Sequence, residues 1–408
     1  MKSFEVPSYY RSKIVSKIKS FRKNEDPRKK DFSPSVLSFG PVSFYFARHF
    51  GFCYGVENAI EIAYKTIEQY PNKRIFFLSE MIHNPNVNED LNARGVQFIL
   101  TTKGEQLIPW KEINEDDIVL IPAFGTSLET KELLKSKNID FTTFDTTCPF
   151  VEKVWKRAGK LGEKDHSIIV HGKPSHEETK ATFSHSTDKA PTLIIKNIEE
   201  ARLLAEIILE KRPVEDFYKL FKNRYSDGFD PNKHFSKIGV VNQTTMLASE
   251  TQEIAAFIKT VLEEKYDLAN IANHFADTRD TLCYATNDNQ QSTLALLEES
   301  VDLAFVIGGY NSSNTSHLVE LCESKFPTFF ISDQHKIISE KEISHFDLHS
   351  HQEKTTFDYL PKKEHLKIII TSGASCPDSL LEQVLLKLLS FFGQTEMIDG
   401  VLGEFVGG

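Results

Sequence analysis

"FDTTCPFVEKVWK", residues 144–156, joins a run of β-branched residues to a helix, with a cysteine at the joint. Pro149 suits the first helical position, and Phe150, Val151, Val154, Trp155, Ala158 and Leu161 keep an apolar stripe of helical period. A thiol at a helix start meets the positive end of the peptide dipoles, which favours thiolate over thiol. Alone, such a cysteine could equally be a small buried residue.

The same joint occurs twice more. "RHFGFCYGVENAIEIA" sets Cys53 just before a helical pattern, and "DTRDTLCYATNDNQQSTLALL" does so for Cys283. The separations are 95 and 135 residues, the second enlarged by the segment 210–236. This spacing suggests three related α/β modules, each bringing one thiolate to a common point.

Outward from these joints, short apolar β-rich runs alternate with helical patterns. Strands are expected at 42–47, 74–79, 117–122, 140–144, 166–171, 192–196, 237–242, 303–309, 328–332 and 367–372. Helices are expected at 56–69, 149–161, 246–264, 286–299 and 316–325. Alternation of this kind makes mostly parallel sheets. The expected division is a basic extension 1–40, modules 41–140, 141–269 and 270–390, and a tail 391–408. The extension reads as mobile or surface-packed, with ten Lys/Arg against four Asp/Glu before residue 32. Residues 210–236, charged and aromatic with weak periodicity, read as an insertion or long surface excursion, not a domain, and the tail as a fraying end.

Composition sets limits. The 408 residues carry a net charge of −10, which opposes general nucleic-acid binding. No window approaches a membrane-spanning run, and no apolar leader core opens the chain. Five widely spaced cysteines argue against a disulfide framework and for a reducing cytoplasm.

Three helix-start thiols suit a metal site better than a nucleophile, which needs only one. Structural zinc favours short cysteine pairs, absent here, whereas an iron–sulfur cluster accepts thiolates from distant segments. The pattern alone leaves open a cluster or unrelated buried cysteines. Polar loops then follow the expected strands: "MIHNPNVN" with His83, "HGKPSHEETKAT" with His171, Lys173, His176 and Glu178, and "VNQTT" with Gln243 and Thr244. "VIGGYNSSNTSHL" adds Ser312, Ser313 and Asn314, and "TSGASCPD" adds Ser375. Each could be a turn or a cap. Together, at the carboxyl ends of strands, they form the expected ligand face of an α/β protein, with Gly, Ser and Asn donors suited to phosphate.

"GFCYGVENAI", "HNPNVN", "DTTCPFVEKVW", "HGKPSHEET", "NQTT", "DTLCYAT", "GGYNSSNTSHL" and "TSGASCPD" resemble, in order, the motifs of the IspH/LytB family of 4-hydroxy-3-methylbut-2-enyl diphosphate reductases. "PAFG" and the 210–236 segment resemble its plant and cyanobacterial branch. The resemblance implies a trefoil of three α/β modules around a [4Fe–4S] cluster held by Cys53, Cys148 and Cys283, with one iron open to substrate. It implies diphosphate binding by His83, His176, Ser312, Asn314 and Ser375, with Ser313 shaping the loop. Glu178 would donate a proton, with Thr244 beside the substrate hydroxyl. A ferredoxin or flavodoxin would supply electrons, since no nicotinamide or flavin fingerprint is present. The rival classes are a non-enzymatic metal- or cluster-binding redox sensor and a cysteine-nucleophile transferase.

Two residues depart from the pattern. Phe124 stands where many bacterial members carry a diphosphate-binding histidine, and it cannot donate a hydrogen bond. Cys376 follows Ser375 where relatives carry Thr or Ala, and is expected to be protonated and uncoordinated. Cys322, between leucines on a helix, reads as core.

Overall fold

The computed structural model describes residues 4–266, 268–276 and 281–407. The polar turn expected at 277–280, ahead of Cys283, lies outside the described residues. The chain divides into two compact units: residues 1–61, 82–89 and 284–408, and residues 62–81 and 90–283.

The first unit is built on a seven-stranded sheet. Its order is Ser35–Ser38, Val42–Phe46, Leu366–Ser372, Leu303–Ile307, Thr328–Ile331, Glu342–Asp347, Gln352–Phe357. The four inner neighbours, 42–46 to 328–331, pair in parallel, and both edges are antiparallel. The parallel strands are nearly continuous apolar runs, such as "LAFVI", because helices cover both faces. Phe44, Phe46, Phe305 and Phe330 fill the core with Leu381, Leu385 and Leu388 of helix Asp378–Phe391. Strand Val42–Phe46 thus pairs with residues from the far end of the chain, Phe44 lying opposite Ile368.

The N-terminal extension joins this core. Helix Lys13–Glu25, capped by Ser12, buries Ile14, Val15 and Ile18. The tail does not fray: Ile398–Gly407 is a helix with Val401 and Leu402 buried, and Phe405 packs on Phe21 with ring centroids 4.9 Å apart. Its apolar residues pack against the extension helix and the edge strand Ser35–Ser38, contacts that the sequence of the tail does not announce.

The second unit holds two all-parallel sheets. One runs Gln97–Phe98, Ile75–Phe77, Ile118–Leu120, and the other Thr192–Ile195, Ser167–His171, Ile238–Asn242, Phe275–Ala276. With two all-parallel sheets and a third parallel at its centre among the described residues, the class is mixed α/β as the alternation requires. The strand expected at 140–144 does not form. The Asp140 carboxylate accepts from the backbone N–H groups of Thr142 and Thr143, making a side-chain turn in place of a ladder, and only Asp145 bridges to Ile121. Nor is 210–236 a surface excursion. Phe217, Phe221, Phe229 and Phe235 are all buried in the core under the four-stranded sheet, Phe217 within the short helix Glu215–Leu220, Phe221 just after it, and Phe229 and Phe235 on either side of the short helix Pro231–His234. The aromatic residues carry the core there, and short helices give no long periodic stripe.

Candidate functional site

The site residues expected from the sequence lie in loops or first helical turns, most of them beyond a strand, but the units hold different parts. In the first unit three loops meet. Residues 308–312 follow strand Leu303–Ile307, residues 373–377 follow strand Leu366–Ser372, and residues 82–84 precede helix Pro85–Ala93. The close approach is set by small residues. A Cβ on Gly309 would collide with the His83 carbonyl oxygen, and one on Gly373 with the Thr315 hydroxyl. Gly308, at φ 158°, would bring a Cβ to 2.7 Å from the same hydroxyl.

Hydrogen bonds tie these loops together. Ser375 Oγ donates to the His83 carbonyl at 3.2 Å, and the Ala374 N–H donates to Asn314 Oδ1 at 2.8 Å. The Cys53 N–H donates to the Ala374 carbonyl at 3.1 Å, so the first thiol stands beside the same loop. Ser312 caps helix Ser313–Glu323, its Oγ accepting from the Thr315 N–H and hydroxyl.

What remains is a set of buried donors without a partner: Asn84 Nδ2, Ser313 Oγ and Asn314 Nδ2. Both amides commit their oxygens to the protein, Asn84 Oδ1 accepting from the Val87 N–H and Asn314 Oδ1 from Ala374. Their NH₂ groups are left over. Burying such a donor unpaired costs about 1–3 kcal/mol, so the cradle is suited to an acceptor-rich anion.

The second unit carries Glu178. Helix Glu177–Thr187 starts at His176, whose Nδ1 accepts from the Glu178 N–H at 3.2 Å. Glu178 is buried, and its Oε1 accepts from the Thr244 N–H at 2.5 Å. A bond this short fixes the carboxyl group against the turn after strand Ile238–Asn242. Cys148 caps helix Pro149–Gly162, with its own N–H on the Ala123 carbonyl at 3.0 Å. Phe124, the next residue, stands edge-on to His176 with ring centroids 6.0 Å apart. Cys283 immediately precedes helix Tyr284–Leu297 and is buried.

The other two cysteines lie in apolar core. Burial pushes the Cys322 thiol up to about 12 and raises that of Cys376 as well. Cys376 is fully buried, its thiol 3.6 Å from the Pro377 carbonyl. No disulfide involves any of the five cysteines.

Among the described residues, no three His, Cys, Asp or Glu side chains are grouped closely enough to hold a single metal ion. By donor chemistry the remaining three cysteines still fit a sulfur-ligated iron cluster. Each stands at the start of a helix of 14 or 16 residues, where a thiolate is favoured, and none is spent in a disulfide.

The sequence places Asn84 and Gln243 in the polar loops without a specific role, and does not single out Thr315. The available signal was glycine: Gly308, Gly309 and Gly373 mark where backbones crowd, and a β-branched residue opposite them is the matching half of the contact.

The 4-hydroxy-3-methylbut-2-enyl diphosphate reductase of Gloeobacter violaceus is 38% identical over 88% of this chain and 86% of its own. That of Picosynechococcus is 39% identical over 87% of this chain and 86% of its own, and that of Trichormus variabilis 36% over 97% and 93%. Two solved structures share the fold. The E-1-hydroxy-2-methyl-but-2-enyl-4-diphosphate reductase from Plasmodium falciparum aligns with TM-score 0.59 at 23% identity, covering 85% of this chain and 87% of that one. An (E)-4-hydroxy-3-methyl-but-2-enyl diphosphate reductase described as the terminal enzyme of the non-mevalonate pathway aligns with TM-score 0.50 at 22% identity, covering 85% and 98%. The family model described as LytB protein matches residues 44–389, and with these relatives it places the chain in the LytB family.

Proposed function

We propose that the chain is a 4-hydroxy-3-methylbut-2-enyl diphosphate reductase, making isopentenyl and dimethylallyl diphosphates at the last step of the non-mevalonate isoprenoid pathway. The observation that carries this reading is the cradle of uncommitted buried donors, Asn84 Nδ2, Ser313 Oγ and Asn314 Nδ2, which suits a diphosphate. His83, Ser312 and Ser375 would complete the anion site in the first unit, and the family resemblance implies His176 as a further diphosphate ligand. Histidine and hydroxyl donors can neutralise a diphosphate without a bound divalent ion.

The reaction breaks the bond between C4 and its hydroxyl, takes up two electrons and two protons, and releases water. Hydroxide leaves poorly, so a proton must reach the oxygen as the bond breaks. Glu178 is the donor in this reading: its carboxyl is buried, and the Thr244 N–H orients it. Thr244 would meet the substrate hydroxyl. Cys53, Cys148 and Cys283 would hold a [4Fe–4S] cluster, which supplies the electrons and, through one open iron, Lewis acidity toward the substrate oxygen. The electrons would come from a ferredoxin or flavodoxin. The cytoplasm suits five cysteines none of which is in a disulfide. No described helix is long and apolar enough to cross a membrane.

The test is turnover of the allylic diphosphate by anaerobically purified protein with dithionite-reduced methyl viologen, with products identified by mass spectrometry. Both five-carbon diphosphates are expected. Substrate binding without product would favour a non-enzymatic sensor, and an iron-free protein would remove the cluster.

A further inference from the structure

The chain's acid is held by a group that the reaction itself does not call for. Gln243 is fully buried at the end of strand Ile238–Asn242, and its side chain touches three separate segments. Its Oε1 accepts from the Lys173 backbone N–H at 3.1 Å and from the Thr179 hydroxyl at 2.9 Å. Its Nε2 donates to Thr245 Oγ1 at 2.6 Å. Its backbone N–H donates to the His171 carbonyl at 2.8 Å, and its carbonyl accepts from Asn242 Nδ2 at 2.9 Å.

These bonds bracket the acid. Thr179 follows Glu178 on the first turn of its helix, and Thr244, whose N–H holds the Glu178 carboxylate, follows Gln243. The loop from 172 can close this tightly because Gly172 has no side chain: a Cβ there would lie 2.6 Å from Thr179 Oγ1 and 3.0 Å from the Gln243 Cβ. The network also runs toward a thiol, since Asn242 Oδ1 accepts from the Thr281 hydroxyl at 2.6 Å, two residues before Cys283.

We propose that Gln243 is a positioning residue for Glu178, its side-chain amide locking the 171–173 turn and the first turn of helix Glu177–Thr187 to the 243–245 turn. Resting on the function proposed above, this assigns to one buried amide the distance and direction between the acid and Thr244. A general acid acts only within hydrogen-bond reach of its target, so a small loosening lowers the rate without weakening anion binding. An apolar residue of the same length would still fill the space but hold none of the three segments.

Gln243→Met and Gln243→Glu separate these roles. Glutamate keeps the acceptor for Lys173 and Thr179, and the Thr245 hydroxyl can turn to donate to it. With reduced methyl viologen as donor, Gln243→Met is expected to lower kcat by about 10–100-fold, less than the roughly 10²–10⁴-fold that a general acid contributes because the acid is loosened and not removed, with KM for the allylic diphosphate within about twofold. Gln243→Glu is expected to recover most of that loss. Hydrogen exchange at the Thr244 amide, read by mass spectrometry, should speed up in Gln243→Met and not in Gln243→Glu. The proposal is overturned if Gln243→Met retains the parental kcat, if KM rises as much as kcat falls, or if glutamate rescues neither rate nor exchange. If the parent protein itself makes no product, the functional reading fails first. The exchange comparison then still decides whether Gln243 holds the Glu178–Thr244 contact.

Discussion

The cradle of the first unit and the acid loops of the second are built alike and finished differently. Both consist of loops beyond parallel strands, pulled close by glycines and closed by side-chain hydrogen bonds. In the cradle those bonds use the oxygens of Asn84 and Asn314 and leave their NH₂ groups unmade. Around Glu178 the Gln243 amide uses its oxygen and its nitrogen within the protein. In the proposed reading one region is completed by a ligand's acceptors, and the other is organised before the ligand arrives. The difference matches what each chemistry needs: an anion site gains from donors kept in reserve, whereas a proton donor gains from a fixed direction.

The widest test asks whether the two regions serve one iron–sulfur group. Cys53 is tied to the cradle through the Ala374 carbonyl, whereas Cys148 and Cys283 belong to the other unit. Cys53→Ser, Cys148→Ser and Cys283→Ser should each lose iron and sulfide and abolish most turnover. Cys322→Ala should keep both, since burial holds that thiol protonated up to about 12. Cys376→Ala should leave the iron pattern unchanged by Mössbauer spectroscopy, because the thiol is fully buried in apolar core. Equal iron loss in Cys322→Ala and Cys148→Ser would break the ligand assignment.

Next in size is the acid. Glu178→Gln keeps shape and can still accept from the Thr244 N–H, but has no carboxyl proton to give. Turnover should fall roughly 10²–10⁴-fold with substrate affinity retained. A variant with near-parental turnover would take Glu178 out of the mechanism and leave the second region a structural turn.

How far these regions could be read in advance depends on how local their signals are. Proline at the first helical position and an apolar stripe announce helix Pro149–Gly162 within a dozen residues, and its start lies where the sequence places it. The edge hairpin, Glu342–Asp347 with Gln352–Phe357, was absent from the expected strands because most of its residues are polar and solvated. The Phe217 cluster hid for a related reason: four phenylalanines 4 to 8 residues apart converge only after the chain turns twice. In the loops, residue types pointed to anion chemistry, but the pairing that leaves Asn314 Nδ2 over and commits Gln243 depends on contacts 60 to 70 residues distant. Such contacts have no local signature.

The cradle offers a smaller test of its own. Asn314→Asp keeps the acceptor for the Ala374 N–H and replaces the leftover NH₂ with a carboxylate oxygen. The loop should remain closed, while KM for the diphosphate rises about 10–100-fold through a lost donor and an added like charge. Thermal melting within a few degrees of the parent would show that the loss is in binding. Unchanged KM would mean that the leftover donors do not face the ligand, and the contrast between the two regions would lose its meaning.

The smallest effect is expected at Phe124, where the resemblance to bacterial members predicts a histidine. The ring stands edge-on to His176, which packs the loop before Glu178 without offering a donor. Its backbone neighbours are fixed independently, with the Ala123 carbonyl accepting from Cys148 and the Gly125 N–H donating to the Pro122 carbonyl at 2.9 Å. Gly125, at φ 76°, lies so close to the Trp155 ring that a Cβ would overlap it, so the turn cannot shift to accommodate a new side chain. A histidine must therefore take up the Phe124 position as it stands. Phe124 is only half-buried, which gives imidazole access to water when no ligand is bound, so Phe124→His should fold. With a diphosphate present it adds one donor, tightening binding by about 1 kcal/mol, or a few-fold in Kd, measured by calorimetry with inorganic pyrophosphate and with substrate. Unchanged affinity would show that His83, His176 and the cradle donors already saturate the phosphate oxygens. A weakened affinity would show that the edge contact, which orients His176, matters more to the anion than a second imidazole does.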